Sequence, residues 1–86
     1  MRPENKRMQK FLEDHGIKAT PKYLATGSTK GCWRLYDYGQ KWTEELMNAL
    51  NELGFVSFDG KPLNKYSGNG GMFQVFVRGH NELLKD

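Results

Sequence analysis

Hydrophobic and polar positions alternate along this chain with two different periods, which divide it into helical and extended segments. Three apolar residues recur at helical spacing near its start, namely Met8, Phe11 and Leu12. This spacing predicts a first helix over Pro3 to His15 with one apolar side. Proline suits the first helical turn, where its missing N–H has no partner in any case. Gly16 follows the last periodic residue and favours helix termination in the left-handed conformation.

A second helix is predicted over Glu44 to Leu53, and several independent signals agree on it. Thr43 is a good N-cap, and the glutamates after it lie where the helix dipole favours negative charge. Trp42 and Met47 have the spacing of a hydrophobic staple. The buried side would consist of three leucines, Leu46, Leu50 and Leu53. Gly54 then ends the helix, so both helices share the same predicted stop signal.

Four segments have the composition of strands, with branched and aromatic residues between turn residues. They are Lys18 to Ala25, Cys32 to Tyr38, Phe55 to Phe58, and Met72 to Arg78. Pro21 cannot donate to a sheet ladder, so the first strand is predicted at a sheet edge. The loop Thr26 to Gly31 would join the first two strands as an antiparallel hairpin. Pro62 favours an extended loop over Lys61 to Gly71, and Gly79 to Asp86 reads as a polar tail that carries His80.

The resulting order, α-β-β-α-β-β, predicts the fold class. A chain of 86 residues is expected to form one domain, here a small single α+β domain over residues 1–86. Its two helices should pack on one face of a mostly antiparallel sheet. The second helix would also serve as a crossover between strands, so strand order stays open at this point.

Strand parity separates an apolar face from a mixed one, because successive side chains point to opposite faces. The apolar sets should meet the helices, and they are Trp33 and Leu35, then Phe73, Val75 and Val77. The mixed sets should face away, and they are Cys32, Arg34, Tyr36 and Tyr38, then Met72, Gln74, Phe76 and Arg78. Rings and guanidinium groups stack on nucleobases, and cations neutralise phosphates. The mixed face is therefore a candidate binding surface.

Charge strengthens this interpretation, since the formal net charge is +3 and is unevenly distributed. The hairpin region is basic and the second helix is acidic. A basic hairpin can track a phosphate backbone. Lysines on an edge strand also discourage aggregation, which is a purely structural explanation. The predicted binding positions are Lys18, Lys22, Lys30, Arg34, Tyr36, Tyr38, Gln74, Phe76 and Arg78.

The predicted function is that of a small, non-enzymatic nucleic-acid-binding protein with an accessory or regulatory role. The alternative is a protein-binding inhibitor or adaptor, of the kind that phages and other mobile elements encode as short single-domain proteins. Exposed aromatic and arginine residues are typical of protein hot spots as well. A third interpretation is structural, because outward-facing rings stabilise cross-strand pairs beneath arginine stems.

The glycine-rich stretch before the last strand does not have the context of a phosphate-binding loop. Such loops precede a helix whose N–H groups face the phosphate, whereas this stretch precedes a strand and lacks a Walker lysine. The stretch is predicted instead as a flexible loop beside the mixed face, and its residues are Gly68, Asn69, Gly70 and Gly71.

Catalytic, metal and membrane functions find little support in the sequence. His15, His80 and Cys32 are far apart and lack metal-ligand spacing, so no metal or cofactor is expected. No convergent catalytic group indicates an enzyme. The lone cysteine cannot form an intrachain disulfide, which favours a reducing compartment. No apolar segment approaches the ~18 residues of a membrane span, and the N-terminus does not resemble a secretory signal, so a cytoplasmic location is expected.

Overall fold

The computed structural model describes residues 1–37, 42–69 and 74–85. Its helices are α1 (Pro3–Asp14) and α2 (Glu44–Glu52). Its strands are β1 (Thr20–Tyr23), β2 (Trp33–Tyr36), β3 (Val56–Ser57), β4 (Gly68–Asn69) and β5 (Gln74–Arg78), followed by a 3₁₀ turn (Asn81–Leu84). The predicted α+β class and the order α-β-β-α-β-β are confirmed, with β4 as an additional short strand.

The last strand of the chain lies in the middle of the sheet. The order is β1-β2-β5-β3, every pairing is antiparallel, and β4 also pairs with β5. The two-residue strands β3 and β4 thus follow one another along the same side of β5, opposite β2. The connection through α2 carries the chain past β5, which settles the strand order that the sequence left open.

Both helices pack on the same face of this sheet. The inward residues of β2 and β5, which are Trp33, Leu35, Val75 and Val77, are fully buried. They share one core with Met8 and Leu12 of α1 and with Met47 and Leu50 of α2. The parity prediction is therefore confirmed for these positions, and Phe73 lies outside the described residues. Neither α1 nor α2 lies on the opposite face of the sheet.

Each helix ends as its glycine predicts. Gly16 and Gly54 have φ values of 76° and 96°. After each glycine the next N–H returns to the helix, from Ile17 to the Leu12 carbonyl (2.9 Å) and from Phe55 to the Leu50 carbonyl (3.0 Å). These bonds satisfy carbonyls that the last turn leaves unpaired. At the start of α2, the Thr43 hydroxyl accepts from the Leu46 N–H (3.2 Å), as expected of an N-cap.

The outer edge of β1 is closed to further strand pairing. The Leu24 N–H donates to the Cys32 carbonyl (2.8 Å) and so points towards β2. Because the backbone polar groups of successive strand residues point to alternate sides, those of Pro21 and Tyr23 point away from β2. Pro21 has no N–H, and the Tyr23 N–H donates to Asn5 Oδ1 of α1 (2.9 Å). The edge position predicted from Pro21 is confirmed. A helix side chain and a proline together remove the donors that another strand would need.

Replacing Asn5 by alanine is expected to lower the free energy of unfolding by about 1–2 kcal/mol, because the Tyr23 N–H loses a buried acceptor. Asn48→Ala is the matched control, since Asn48 is exposed on α2 and the same asparagine-to-alanine change raises helix propensity equally at both positions. Urea denaturation of both variants measures the difference. Equal stabilities would show that the Asn5 bond contributes nothing.

Two predictions for the second half of the chain are wrong. The predicted polar tail, Gly79 to Asp86, is wrong for residues 79–85, and Asp86 lies outside the described residues. The 3₁₀ turn places Leu83 and Leu84 against the core, and the Leu83 carbonyl accepts from Arg7 Nε (2.7 Å). Two adjacent leucines are too short a pattern to reveal this. The stretch from Lys61 to Gly71 is not loop throughout, because Gly68–Asn69 form β4.

The chain before β4 is anchored to α2. The Asn51 side-chain amide donates to the Leu63 carbonyl, and the Leu63 N–H donates to Asn51 Oδ1, both at 2.8 Å. Leu63 itself is buried in the core. This paired contact holds the segment in place beside β5. No helix in the described part of the chain is long and apolar enough to cross a membrane.

Candidate functional site

The face of the sheet opposite the helices is named here the outer face. Its residues alternate with the buried ones and lie opposite one another in neighbouring strands. They are Thr20, Lys22, Arg34, Tyr36, Val56, Gln74, Phe76 and Arg78. Six of the nine predicted binding residues are therefore brought together here, from β1, β2 and β5.

Two cross-strand rows build the middle of the outer face. Lys22 lies opposite Arg34, which lies opposite Phe76. In the next row, Tyr36 of β2 lies opposite Gln74 of β5. Residues directly opposite one another are neighbours on a sheet surface. The rows thus bring two cations, two aromatic rings and one amide to adjacent positions.

Arg34 connects the two rows. Its Nε–H donates to Gln74 Oε1 (2.7 Å), and its Cζ lies 4.6 Å from the centre of the Tyr36 ring. The first contact orients the guanidinium plane, and the second is a cation–π contact. The guanidinium is therefore held in one orientation by neighbours on both strands.

The aromatic rings of this face are only partly exposed. Tyr36 and Phe76 are half-buried, as are Arg34 and Gln74. Part of each ring is thus covered by neighbouring side chains, as the structural interpretation of the mixed face requires. The remainder of each ring faces away from the helices.

Arg78 joins the hairpin loop to the turn after β3. Its Nε–H donates to the Phe58 carbonyl (2.6 Å). On the other side, a Cβ at Gly31 would lie 2.8 Å from Arg78 Nη1, so a larger residue there would require the guanidinium to move. Gly31 also has a φ of 90°, which glycine adopts without strain. Arg78 therefore fixes two loops at one end of the outer face.

Cys32 is a correction to the parity argument. Its position assigns it to the outer face, yet it is fully buried. It lies at the end of the hairpin loop, where its N–H donates to the Thr29 carbonyl (3.1 Å), rather than within β2. Burial raises the pKa of the Cys32 thiol, while the charge of Arg78 acts in the opposite direction. A protonated, buried thiol is a packing residue and not a nucleophile.

Two other predicted binding residues, Lys18 and Lys30, lie outside the strands of the outer face. Lys18 precedes β1 and forms an ion pair with Asp37, with 3.9 Å between Nζ and Oδ2. Lys30 is exposed in the hairpin loop beside Gly31. Tyr38 lies outside the described residues, as do Gly70 and Gly71 of the predicted flexible loop. The two remaining residues of that loop form β4, which extends the sheet and does not cross the outer face.

The histidines have structural roles. The His15 ring contacts the Phe11 carbonyl through Nδ1 (2.8 Å). The His80 ring lies between two aromatic rings, with its centre 4.5 Å from that of Phe11 and 4.6 Å from that of Phe55. Its Nε2–H donates to the Leu53 carbonyl (2.5 Å). His80 therefore ties the chain after β5 to the end of α2. Within residues 1–37, 42–69 and 74–85, no group of side chains could hold a metal ion.

Charge differs between the two sides of the molecule. The outer face carries the cations Lys22, Arg34 and Arg78, and no described strand residue on it is acidic. The exposed glutamates of α2 lie with the helix layer, on the other side of the sheet. The outer face is therefore basic, whereas the acidic residues of α2 lie in the helix layer together with the mixed charges of α1.

Two aromatic residues beside this face were missed by the sequence reasoning. Phe58 and Tyr66 are exposed by 54% and 79%. With Ser57, Ser67 and Phe76 they line a cleft of about 260 Å³, named here the aromatic cleft. Phe58 was assigned to a strand and Tyr66 to a loop, and nothing in their local sequence indicates that they meet.

Comparison with protein-family models, with curated proteins and with solved structures found no match for this chain. Functional inference must therefore start from its residues and their geometry. The basic outer face and the adjoining aromatic cleft are the features that such an inference has to explain.

Proposed function

We propose that this protein is a small, non-enzymatic nucleic-acid-binding protein with an accessory or regulatory role. The binding surface would be the outer face of the sheet together with the basic hairpin that enters it. The observation that carries the proposal is the pair of cross-strand rows in which Lys22, Arg34 and Phe76 adjoin Tyr36 and Gln74. We further propose that it acts in a reducing compartment such as the cytoplasm, since its one cysteine is a free thiol.

The chemistry of these rows suits a polyanion with planar bases. Cations on adjacent strands neutralise successive phosphates and release their counterions. Half-exposed rings and an oriented guanidinium offer planar surfaces on which bases stack. The lack of acidic residues among the described strand positions of the face removes the main source of repulsion.

The placement of the reactive side chains supports a binding role over a catalytic one. Cys32 is buried, and both histidines contact backbone carbonyls. Catalysis would need a nucleophile or base that converges with other groups in a cleft. Among the described residues, the aromatic cleft is lined by three aromatic residues and two serines.

The proposal is tested by the affinity of labelled single-stranded and double-stranded RNA and DNA at about 50 and about 200 mM salt. Three cationic contacts predict a salt slope of about −2, which weakens binding roughly 15- to 20-fold over that interval. Lys22→Ala should weaken binding about fivefold at 0.1 M salt and reduce the slope by about 0.7.

Lys6→Ala is the matched control, because Lys6 is an exposed lysine of α1 on the helix side. It should leave the affinity and the slope nearly unchanged. Equal losses in the two variants would mean that binding follows net charge and not this face. No salt-dependent binding to any of the four nucleic acids would overturn the proposal.

The second candidate is a protein-binding inhibitor or adaptor, of the kind that phages and other mobile elements encode. The observation that favours it is the exposure of Phe58 and Tyr66, since exposed rings anchor protein partners as well. A protein retained by the nuclease-treated wild type and lost in the Arg34→Ala/Phe76→Ala double variant, without any nucleic-acid binding, would favour this function.

A further inference from the structure

The aromatic cleft exists because two short strands share one side of β5. Val56 and Ser57 pair with Arg78 and Val77, while Gly68–Asn69 pair with Val75 and Gln74. Phe76 lies between these two pairings and has no partner in the described residues on that side. The gap between β3 and β4 opens beside its ring and forms the cleft of about 260 Å³.

The exposed rings of the cleft stand on ordered backbone. The Tyr66 N–H donates to Asn64 Oδ1 (2.8 Å). Two further hydrogen bonds join Asn64 to Ser67, from the Asn64 N–H to Ser67 Oγ (2.9 Å) and from the Ser67 N–H to the Asn64 carbonyl (2.9 Å). Phe58 is held through its carbonyl, which accepts from Arg78. A ring on ordered backbone loses little conformational entropy when it binds.

Polar groups accompany the rings. Both serines line the cleft, but Ser57 lies opposite the inward residue Val77, so its side chain points towards the core. The Ser67 hydroxyl accepts from the Asn64 N–H and can also donate a hydrogen bond. The Lys65 ammonium lies 5.2 Å from the centre of the Tyr66 ring. Arg78 lies at the Phe58 end. The cleft therefore combines stacking surfaces, hydrogen-bonding groups and flanking cations.

The cleft is also continuous with the outer face, because Phe76 belongs to both. A nucleic-acid strand bound along Lys22, Arg34 and Phe76 would pass the entrance of the cleft. At about 260 Å³ the cleft is slightly smaller than the roughly 300 Å³ at which ligand pockets begin. It is thus sized for one flat ring system and not for a larger molecule.

We propose that the aromatic cleft takes one unpaired nucleobase, and that the protein consequently selects single-stranded over double-stranded nucleic acid. This inference rests on the proposed function. The base stacks against Phe58 or Tyr66, its polar edge meets the Ser67 hydroxyl, and its phosphate lies near Lys65. A base within a duplex is stacked and paired and cannot enter, whereas an unpaired base can be splayed out.

The cations favour a nucleotide over an aromatic side chain of a protein as the occupant. Lys61 and Lys65 belong to the same segment as Tyr66, and Arg78 lies beside Phe58. Asp59 is the one acidic residue between Val56 and Ser67. Such positive charge around an aromatic slot complements a base that carries its own phosphate.

The experiment measures the affinity of four probes of about 12 nucleotides, which are single-stranded RNA, single-stranded DNA, an abasic DNA strand and a duplex. The wild type should bind the base-containing single strands about tenfold more tightly than the abasic strand. Tyr66→Ala should lose a large part of that advantage while its salt slope stays unchanged, because no phosphate contact is removed. Tyr66→Phe keeps the ring and should bind like the wild type.

Phe58→Ala provides a second variant, and the high exposure of both rings means that neither alanine variant should disturb folding. Equal binding of the abasic and base-containing strands by the wild type would overturn this inference and leave the proposed function standing. So would Tyr66→Ala and Phe58→Ala variants that bind every probe like the wild type. Absence of binding to all probes would overturn the proposed function itself.

Discussion

Trp33→Ala is expected to remove about 3–5 kcal/mol from the free energy of unfolding, the cost of deleting a large buried aromatic side chain. Trp33 is fully buried at the centre of the core, and its Nε1–H donates to the Gly79 carbonyl (3.0 Å). Small domains have total stabilities of about 5–15 kcal/mol. The variant should therefore lose a large share of its stability, and the outer face should be lost in the molecules that unfold.

The measurement is urea denaturation followed by far-UV circular dichroism, with Trp42 retained as a fluorescent probe. Trp33→Phe is the graded control, because it keeps most of the ring but loses the indole N–H. Its expected cost is about 1–3 kcal/mol, less than that of alanine. If alanine cost less than about 1 kcal/mol, Trp33 would not be the central packing residue that its burial indicates.

Gly79→Ala is expected to lower the free energy of unfolding by about 2–4 kcal/mol through backbone strain and crowding together. Gly79 has a φ of 134°, a conformation that residues with a Cβ rarely adopt. An added Cβ would also lie 3.0 Å from the Gly54 carbonyl oxygen and 3.5 Å from the Phe55 Cα. Both neighbours are backbone atoms, so neither can rotate away as a side chain would.

Gly60→Ala separates the two causes. Gly60 has a φ of 85°, but nothing lies within 4 Å of a Cβ built there. Its expected cost is about 1–2 kcal/mol, from backbone strain alone. Thermal or urea denaturation of both variants gives the difference, which is the cost of crowding against the end of α2. A Gly79→Ala variant no less stable than Gly60→Ala would contradict the close approach.

Trp33 and the proposed binding residues lie on opposite faces of the same sheet. Trp33 alternates with Arg34, and Val77 alternates with Phe76 and Arg78. Substitutions of exposed residues such as Lys22 and Tyr66 leave the core intact, so their effects on binding can be measured in a folded protein. Arg78 differs from them, because it contacts Phe58 and fits against Gly31. Its replacement would change loop positions as well as charge.

Arg34 shows how the structural and binding interpretations of the outer face coexist. Its contacts with Gln74 and Tyr36 stabilise a cross-strand pair, as in many sheets. The same contacts orient its guanidinium before any ligand arrives. Pre-orientation lowers the entropic cost of binding. The nucleic-acid titrations of Lys22→Ala and Tyr66→Ala decide whether this surface binds nucleic acid.

Local signals in the sequence determined the helices and the side of each long strand that is buried. Thr43 marks the start of α2 and Gly54 its end, each through contacts within a few residues. No distant part of the chain is therefore needed to recognise these signals. Alternation in β2 and β5 identified Trp33, Leu35, Val75 and Val77 as inward residues. It failed at Cys32, because alternation holds only within a strand and Cys32 belongs to the loop end.

Only the tertiary structure decided which separate segments meet. The two-residue strands β3 and β4 are too short to show a period, and their positions follow from pairing with β5 far along the chain. The segment after β5 contacts the rest of the protein through His80, Leu83 and Leu84, and no local sequence pattern predicts these contacts. The aromatic cleft joins Phe58, Tyr66 and Phe76 for the same reason. Periodicity reports which way a side chain points, whereas a site requires partners that long-range pairing brings together.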